Sequence, residues 1–204
     1  TAAIYGNVYG GGDVANVGVG SANYSVEPTK DNSRTYVDVT GGNIFGEVFG
    51  GGFGRMRSVS GVGANYTKIG NVIGNTLVHV GNSKDVDNNT VEPYIWNRIY
   101  GAGSYGIVDG NSKVHIEGGR LGYNIFGGGL GDASTDTPDT NENNRKGTYA
   151  NVKGNTNVTI DGGSWIWYAM ADIDGNITTW DKISTKLSTP FEKWRNMSET
   201  DRMA

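Results

Sequence analysis

"NIFGEVFGGGFG", residues 43–54, runs a short apolar alternation straight into three consecutive glycines. Glycine weakens a strand because it packs nothing and loses the most backbone freedom on folding. Three in a row therefore need a reason: a loop that cradles a ligand, or a corner the chain turns repeatedly. The rest of the sequence decides between them. The phrase returns as "AIYGNVYGGG" (3–12), "YIWNRIYGAG" (94–103) and "RLGYNIFGGG" (120–129). A second phrase precedes it as "SRTYVDVTGG" (33–42), "GNTLVHVG" (74–81), "GNSKVHIEGG" (110–119) and "GNTNVTIDGG" (154–163). The triplet is a recurring corner in a tandem module.

Each module carries two short strands of period two, rich in β-branched and aromatic residues and bounded by glycine. "TKIGNVIG" (67–74) offers a third. Variable segments at 13–34, 53–73, 82–93 and 130–153 separate the phrases. They stretch the module to about 35 to 50 residues, the range of solenoid repeats. One strand pair cannot bury its apolar face alone, whereas stacked copies can. The expected fold is all-β: a parallel β-solenoid, most simply a right-handed β-helix, of four to five coils with loop insertions. A β-propeller repeats at similar length but uses four strands per blade.

Composition narrows the function. The 204 residues contain 34 glycines, 22 asparagines and no cysteine, so there is neither a disulfide framework nor a thiolate metal site. A net charge of −4 gives no basic stripe, which argues against a nucleic-acid partner. No run reaches the ~18 apolar residues of a membrane helix.

"VTGGNIFGEVFGGG", "GNSKVHIEGGRLGYNIFGGG" and "GNTNVTIDGG" resemble the glycine-rich repeat regions of large, adhesin-like surface proteins of Bacteroidetes-type gut bacteria. The resemblance spans about residues 3–170. It implies an exported, cell-surface or extracellular protein with a β-helix stalk, and it carries over no catalytic residue.

Aligning the modules predicts which residues face outward. In the strand before the triplet, Asn7, Glu47, Arg98 and Asn124 share a column, and a column of charges in every coil must face solvent. Strand parity then puts two aromatic columns on the same face. One holds Tyr5, Phe45 and Trp96; the other holds Tyr9, Phe49, Tyr100 and Phe126. With Glu47 and Arg98 they form the candidate binding stripe, a platform for sugar rings or a partner surface.

In the other strand, Val37, Val78, Val114 and Val158 form a core column with Val39, Val80, Ile116 and Ile160. Between them Asp38, His79, His115 and Thr159 point outward. The chain's two histidines should thus be neighbours, as a solvated ladder or, with a carboxylate above, as a transition-metal site. The sequence by itself calls for no metal and no cofactor. Asn75, Asn111 and Asn155 also fall in register, as an asparagine ladder at a turn.

"GAGSYG" (101–106) matches a dinucleotide fingerprint, but it belongs to the repeat and no helix pattern follows it. No nucleophile and base pair can be nominated. Glu117 and Asp161 occupy one module position, as a solvated pair beside the G-G turn, a calcium site, or an acid and base pair for glycosidic cleavage.

The repeat domain is expected over residues 1–171. The first module lacks its G-N-T strand, so the natural protein is expected to extend upstream. Residues 172–204 read as a cap or insertion. There Thr189, Pro190 and Glu192 suit a helix start, and Phe191 and Trp194 share its apolar face. The function expected is adhesion to glycans or host surface proteins through the aromatic stripe and edge loops. A polysaccharide lyase or hydrolase and a purely structural stalk are the alternatives.

Overall fold

A computed structural model of the chain describes residues 2–20, 23–58, 66–131 and 150–165. The described residues are all-β and contain no helix. Residues 166–204, with the predicted helix that starts near Thr189, lie outside them, as does most of the 130–153 insertion.

Three parallel sheets of four, five and four strands carry the structure, and each takes no more than one strand from a module. The second phrase supplies the first sheet, in which Ser33–Val39, Asn75–Val80, Ser112–Ile116 and Thr156–Ile160 lie side by side. The start of the triplet phrase supplies the second, from Ala3–Ile4, Asn43–Ile44, Tyr94–Ile95, Arg120–Leu121 and Ser164–Trp165. Its end supplies the third, from Val8–Tyr9, Val48–Phe49, Ile99–Tyr100 and Ile125–Phe126. In all three the spatial order is the sequence order. Every strand therefore pairs with its own copy one module away, which makes the pairing parallel without any helical crossover.

The register is the one the alignment predicts: Val37 pairs with Val78, Val78 with Val114 and Val114 with Val158. Val37, Val78 and Val114 join Val39, Ile44, Val48, Val80, Ile95, Ile99, Ile116 and Leu121 in one core. Val158 and Ile160, expected in the same columns, are exposed, because their strand is the last of its sheet and no further copy covers it among the described residues. Burying an aliphatic side chain of this size contributes about 1.5–3 kcal/mol, repeated in each module.

A further strand position closes the circuit. Val72–Ile73 pairs with Val108–Asp109, and bridges from Val17 and Val152 extend the row on either side. This is the third strand suggested by "TKIGNVIG"; the valine follows an asparagine at Asn16, Asn71 and Asn151, and Ile107 stands in that place in the remaining copy. Val72, Ala102 and Val108 form a second small core beneath it.

The glycine triplets are places where successive modules approach backbone to backbone. A Cβ on Gly50 would collide with the Gly101 carbonyl oxygen, and one on Gly51 would lie 2.6 Å from the Gly103 nitrogen. The Thr or Ser of the upstream phrase completes the corner. Thr35 Oγ1 donates to the Gly50 carbonyl at 2.6 Å, Thr76 Oγ1 to Gly101 at 2.7 Å and Ser112 Oγ to Gly127 at 2.7 Å. All three hydroxyls belong to buried residues, so each bond satisfies groups that water does not reach.

Asparagine ladders bind the modules at two other turns. Asn75 Oδ1 accepts from the Asn111 backbone at 2.9 Å, and Asn111 Oδ1 from that of Asn155 at 2.8 Å. Asn16 and Asn71 repeat the device beside the Val72 row, accepting from the backbones of Asn71 and Ile107.

The insertions differ in kind. Residues 82–93 form a hairpin of Ser83–Lys84 against Thr90–Val91, and Arg55–Ser58 pairs antiparallel with Tyr66–Ile69. Residues 23–32 instead lie across the stack as a strap. The Tyr24 and Val26 carbonyls accept from the Asn111 side-chain amide, and Val26 also accepts from Asn75. The Tyr24 hydroxyl bonds Asp109, and Glu27 pairs with Lys113.

Candidate functional site

The two aromatic columns form stacked ladders, but they occupy different environments. In Tyr9–Phe49–Tyr100–Phe126 the ring centroids are 4.8, 4.8 and 5.0 Å apart. Phe49 is fully buried and Tyr100 is 4% exposed. Strand parity predicted both to face solvent beside Glu47 and Arg98. The difference is physical: these strands are two residues long, and the chain bends into the triplet directly after the ring. That bend turns the aromatic column under the corner, where Tyr9 also packs against Phe53. Burial pushes the Tyr100 hydroxyl pKa up, with the Glu47 carboxylate adding to it. Only Phe126, at 40%, is exposed in this column.

The Tyr5–Phe45–Trp96 ladder stays at the surface. Its centroids are 5.2 and 5.5 Å apart and its planes lie within 12° of parallel. Tyr5 is exposed, while Phe45 and Trp96 are half-buried. Glu47 and Arg98 are half-buried as well; they pair at 3.2 Å, and the Arg98 guanidinium lies 4.9 Å from the Tyr123 ring centroid. Of the nine candidate residues the structure therefore keeps Tyr5, Phe45, Trp96, Glu47 and Arg98 on one surface, with Tyr9 at its edge. Phe45 has Tyr5 on one face and Trp96 on the other, so this ladder presents ring edges outward. Sugars stack on ring faces.

A second cluster forms on the outer face of the first sheet. Asp38 pairs with His79 and His79 with His115 on neighbouring strands, as the alignment predicts. His79 Nδ1 lies 2.7 Å from Asp38 Oδ1, and its Nε2 lies 3.0 Å from Glu117 Oε2. His115 Nε2 is 2.8 Å from Asp161 Oδ2 and 3.5 Å from Glu117 Oε1. Desolvation lowers the His79 pKa, but the hydrogen bonds to Asp38 and Glu117 outweigh it and hold the imidazole above its ordinary range. Glu117 and Asp161, the candidate acid and base, both point at histidines. Glu117 and Asp161 stand two residues beyond His115 and Thr159, so strand parity carries them to the same outer face of the sheet, where they meet the imidazoles.

Comparison with known proteins returns no matching family model, no matching curated protein and no matching solved structure. Among the described residues no helix is long and apolar enough to cross a membrane.

Proposed function

We propose that the chain is a stretch of right-handed parallel β-solenoid of four to five coils, and that it serves as a structural display stalk in a surface or secreted protein. The observation that carries this reading is the strand order: three parallel sheets run in sequence order with no more than one strand from a module. Such an array grows by repetition and holds whatever lies beyond it at a set distance. Its conspicuous features serve the stack itself. The triplets allow modules to approach, the buried aromatic ladder fills the corner, and the 23–32 insertion straps modules together.

Adhesion is the second reading, favoured by the surface ladder of Tyr5, Phe45 and Trp96 with the Glu47–Arg98 pair beside it. Cleavage of polysaccharide has less support, since Glu117 and Asp161 are engaged with imidazoles. A glycan array run together with turnover assays separates the three. The stalk predicts neither binding nor cleavage. Binding that Trp96→Ala abolishes would establish adhesion, and chain cleavage lost in Glu117→Gln would establish an enzyme.

A further inference from the structure

We infer that His79, His115, Glu117 and Asp161 form a binding site for a divalent transition-metal ion of the zinc class, with Asp38 as the residue that orients His79. The inference stands on side-chain geometry and does not depend on the stalk proposal.

Asp38 fixes the chemistry of the first imidazole. Its carboxylate lies 2.7 Å from His79 Nδ1, so the Nδ1 proton is held there and Nε2 is the nitrogen turned outward. Nε2 meets Glu117 Oε2 at 3.0 Å. His115 Nε2 likewise faces Asp161 Oδ2 at 2.8 Å and Glu117 Oε1 at 3.5 Å. Nitrogens of two imidazoles and the Glu117 carboxylate converge on one region, with Asp161 beside His115. Protons bridge these pairs in the metal-free chain, and a metal ion binds by displacing them, as it does from any histidine site.

The distances suit a metal. Bonds of about 2.0–2.1 Å in a tetrahedral zinc site place neighbouring ligand atoms about 3.3 Å apart. The nitrogen–oxygen separations bracket that value, and one ligand atom each from His79, His115 and Glu117 lies within 4.8 Å of the others. Small side-chain rotations thus suffice to close the shell, while the backbone register of the sheet already holds the two histidines on adjacent strands. Asp38 supplies the outer carboxylate that metal-bound histidines usually have. Gly81 keeps room for the ring, since a Cβ there would lie 2.8 Å from His79 Cε1.

Ligand type selects the ion. Two imidazoles favour zinc, cobalt, nickel or copper over calcium and magnesium, which prefer oxygen alone. Three carboxylates, Asp38, Glu117 and Asp161, lie around the two rings and favour a cation between them. The ligands come from three successive modules and Asp38 from a fourth, so a bound ion links the modules across the sheet.

The test titrates the untagged chain with Co²⁺ and follows visible absorption, then adds Zn²⁺ in competition. One Co²⁺ per chain with the intense visible bands of a four-coordinate ion, displaced by Zn²⁺ and indifferent to Ca²⁺, is expected. His79→Gln and His115→Gln should each abolish the bands, and Asp38→Asn should weaken binding about 10–100-fold through the lost orientation. All three side chains lie on the outer face of the sheet, so the circular dichroism of the metal-free variants should match that of the parent chain. Absence of the bands at millimolar Co²⁺, or bands that persist in the His79→Gln/His115→Gln double variant, would overturn the site.

Discussion

A single hydroxyl per module shows how strict the corner is. Thr76 is fully buried and donates to the Gly101 carbonyl at 2.7 Å. Thr76→Val keeps the shape and removes the donor, leaving that carbonyl without its partner. The expected loss is about 1–3 kcal/mol in urea unfolding, the usual cost of a buried unsatisfied group. Glycine positions make a matched pair. Gly50→Ala places a methyl against the Gly101 carbonyl, whereas a Cβ at Gly128 meets nothing within 4 Å. Gly50→Ala should therefore cost about 1–3 kcal/mol or more, as overpacking does, and Gly128→Ala should leave the unfolding midpoint nearly unchanged.

Among elements, the aromatic ladders divide by depth. Tyr100 stacks between Phe49 and Phe126, with ring centroids 4.8 and 5.0 Å away. Tyr100→Ala should cost about 3–5 kcal/mol, the range for emptying a buried aromatic site. Trp96→Ala should cost visibly less in the same chemical denaturation, because Trp96 is only half-buried. The strap gives a pH dependence. The hydrogen bond from Lys113 holds the Glu27 pKa below its ordinary 4.5, and hydrogen bonds from Lys153 and Tyr24 hold that of Asp109 below 3.8. Both folded-state values are depressed, so their contribution is present above the ordinary values and is lost as pH falls through the folded ones. The Asn111 side-chain amide, bonded to the Tyr24 and Val26 carbonyls, should then lose hydrogen-exchange protection in acid before the sheets unfold. Strap and sheets losing protection together would contradict this.

The contrast between ladder and strap also marks what the sequence could reveal. Register was readable because each strand pairs with its own copy, so aligning Val37, Val78, Val114 and Val158 aligned them in space. The adjacency of His79 and His115 followed from the same rule. Burial of Phe49 and Tyr100 was not readable. Parity holds along a straight strand, and a strand of two residues running into a glycine corner is not straight. Nor was the strap: residues 23–32 match no other module, and Tyr24 finds its partner Asp109 85 residues away. The Thr and Ser hydroxyls stood in the motif as T/S, but only the close approach of the triplet backbone gives them a task.

Over the whole molecule, stability should behave as a sum of similar modules and the interfaces between them. Substitutions at equivalent positions in adjacent modules, such as Val78 and Val114, both fully buried, should then destabilise by similar amounts. That stacking is the central claim, and a crystal structure tests it most directly. The account predicts Asp38, His79 and His115 side by side on neighbouring parallel strands, with Thr35, Thr76 and Ser112 each bonded to the first carbonyl of its module's triplet. Modules folded as separate antiparallel hairpins, with the two histidines apart, would contradict it.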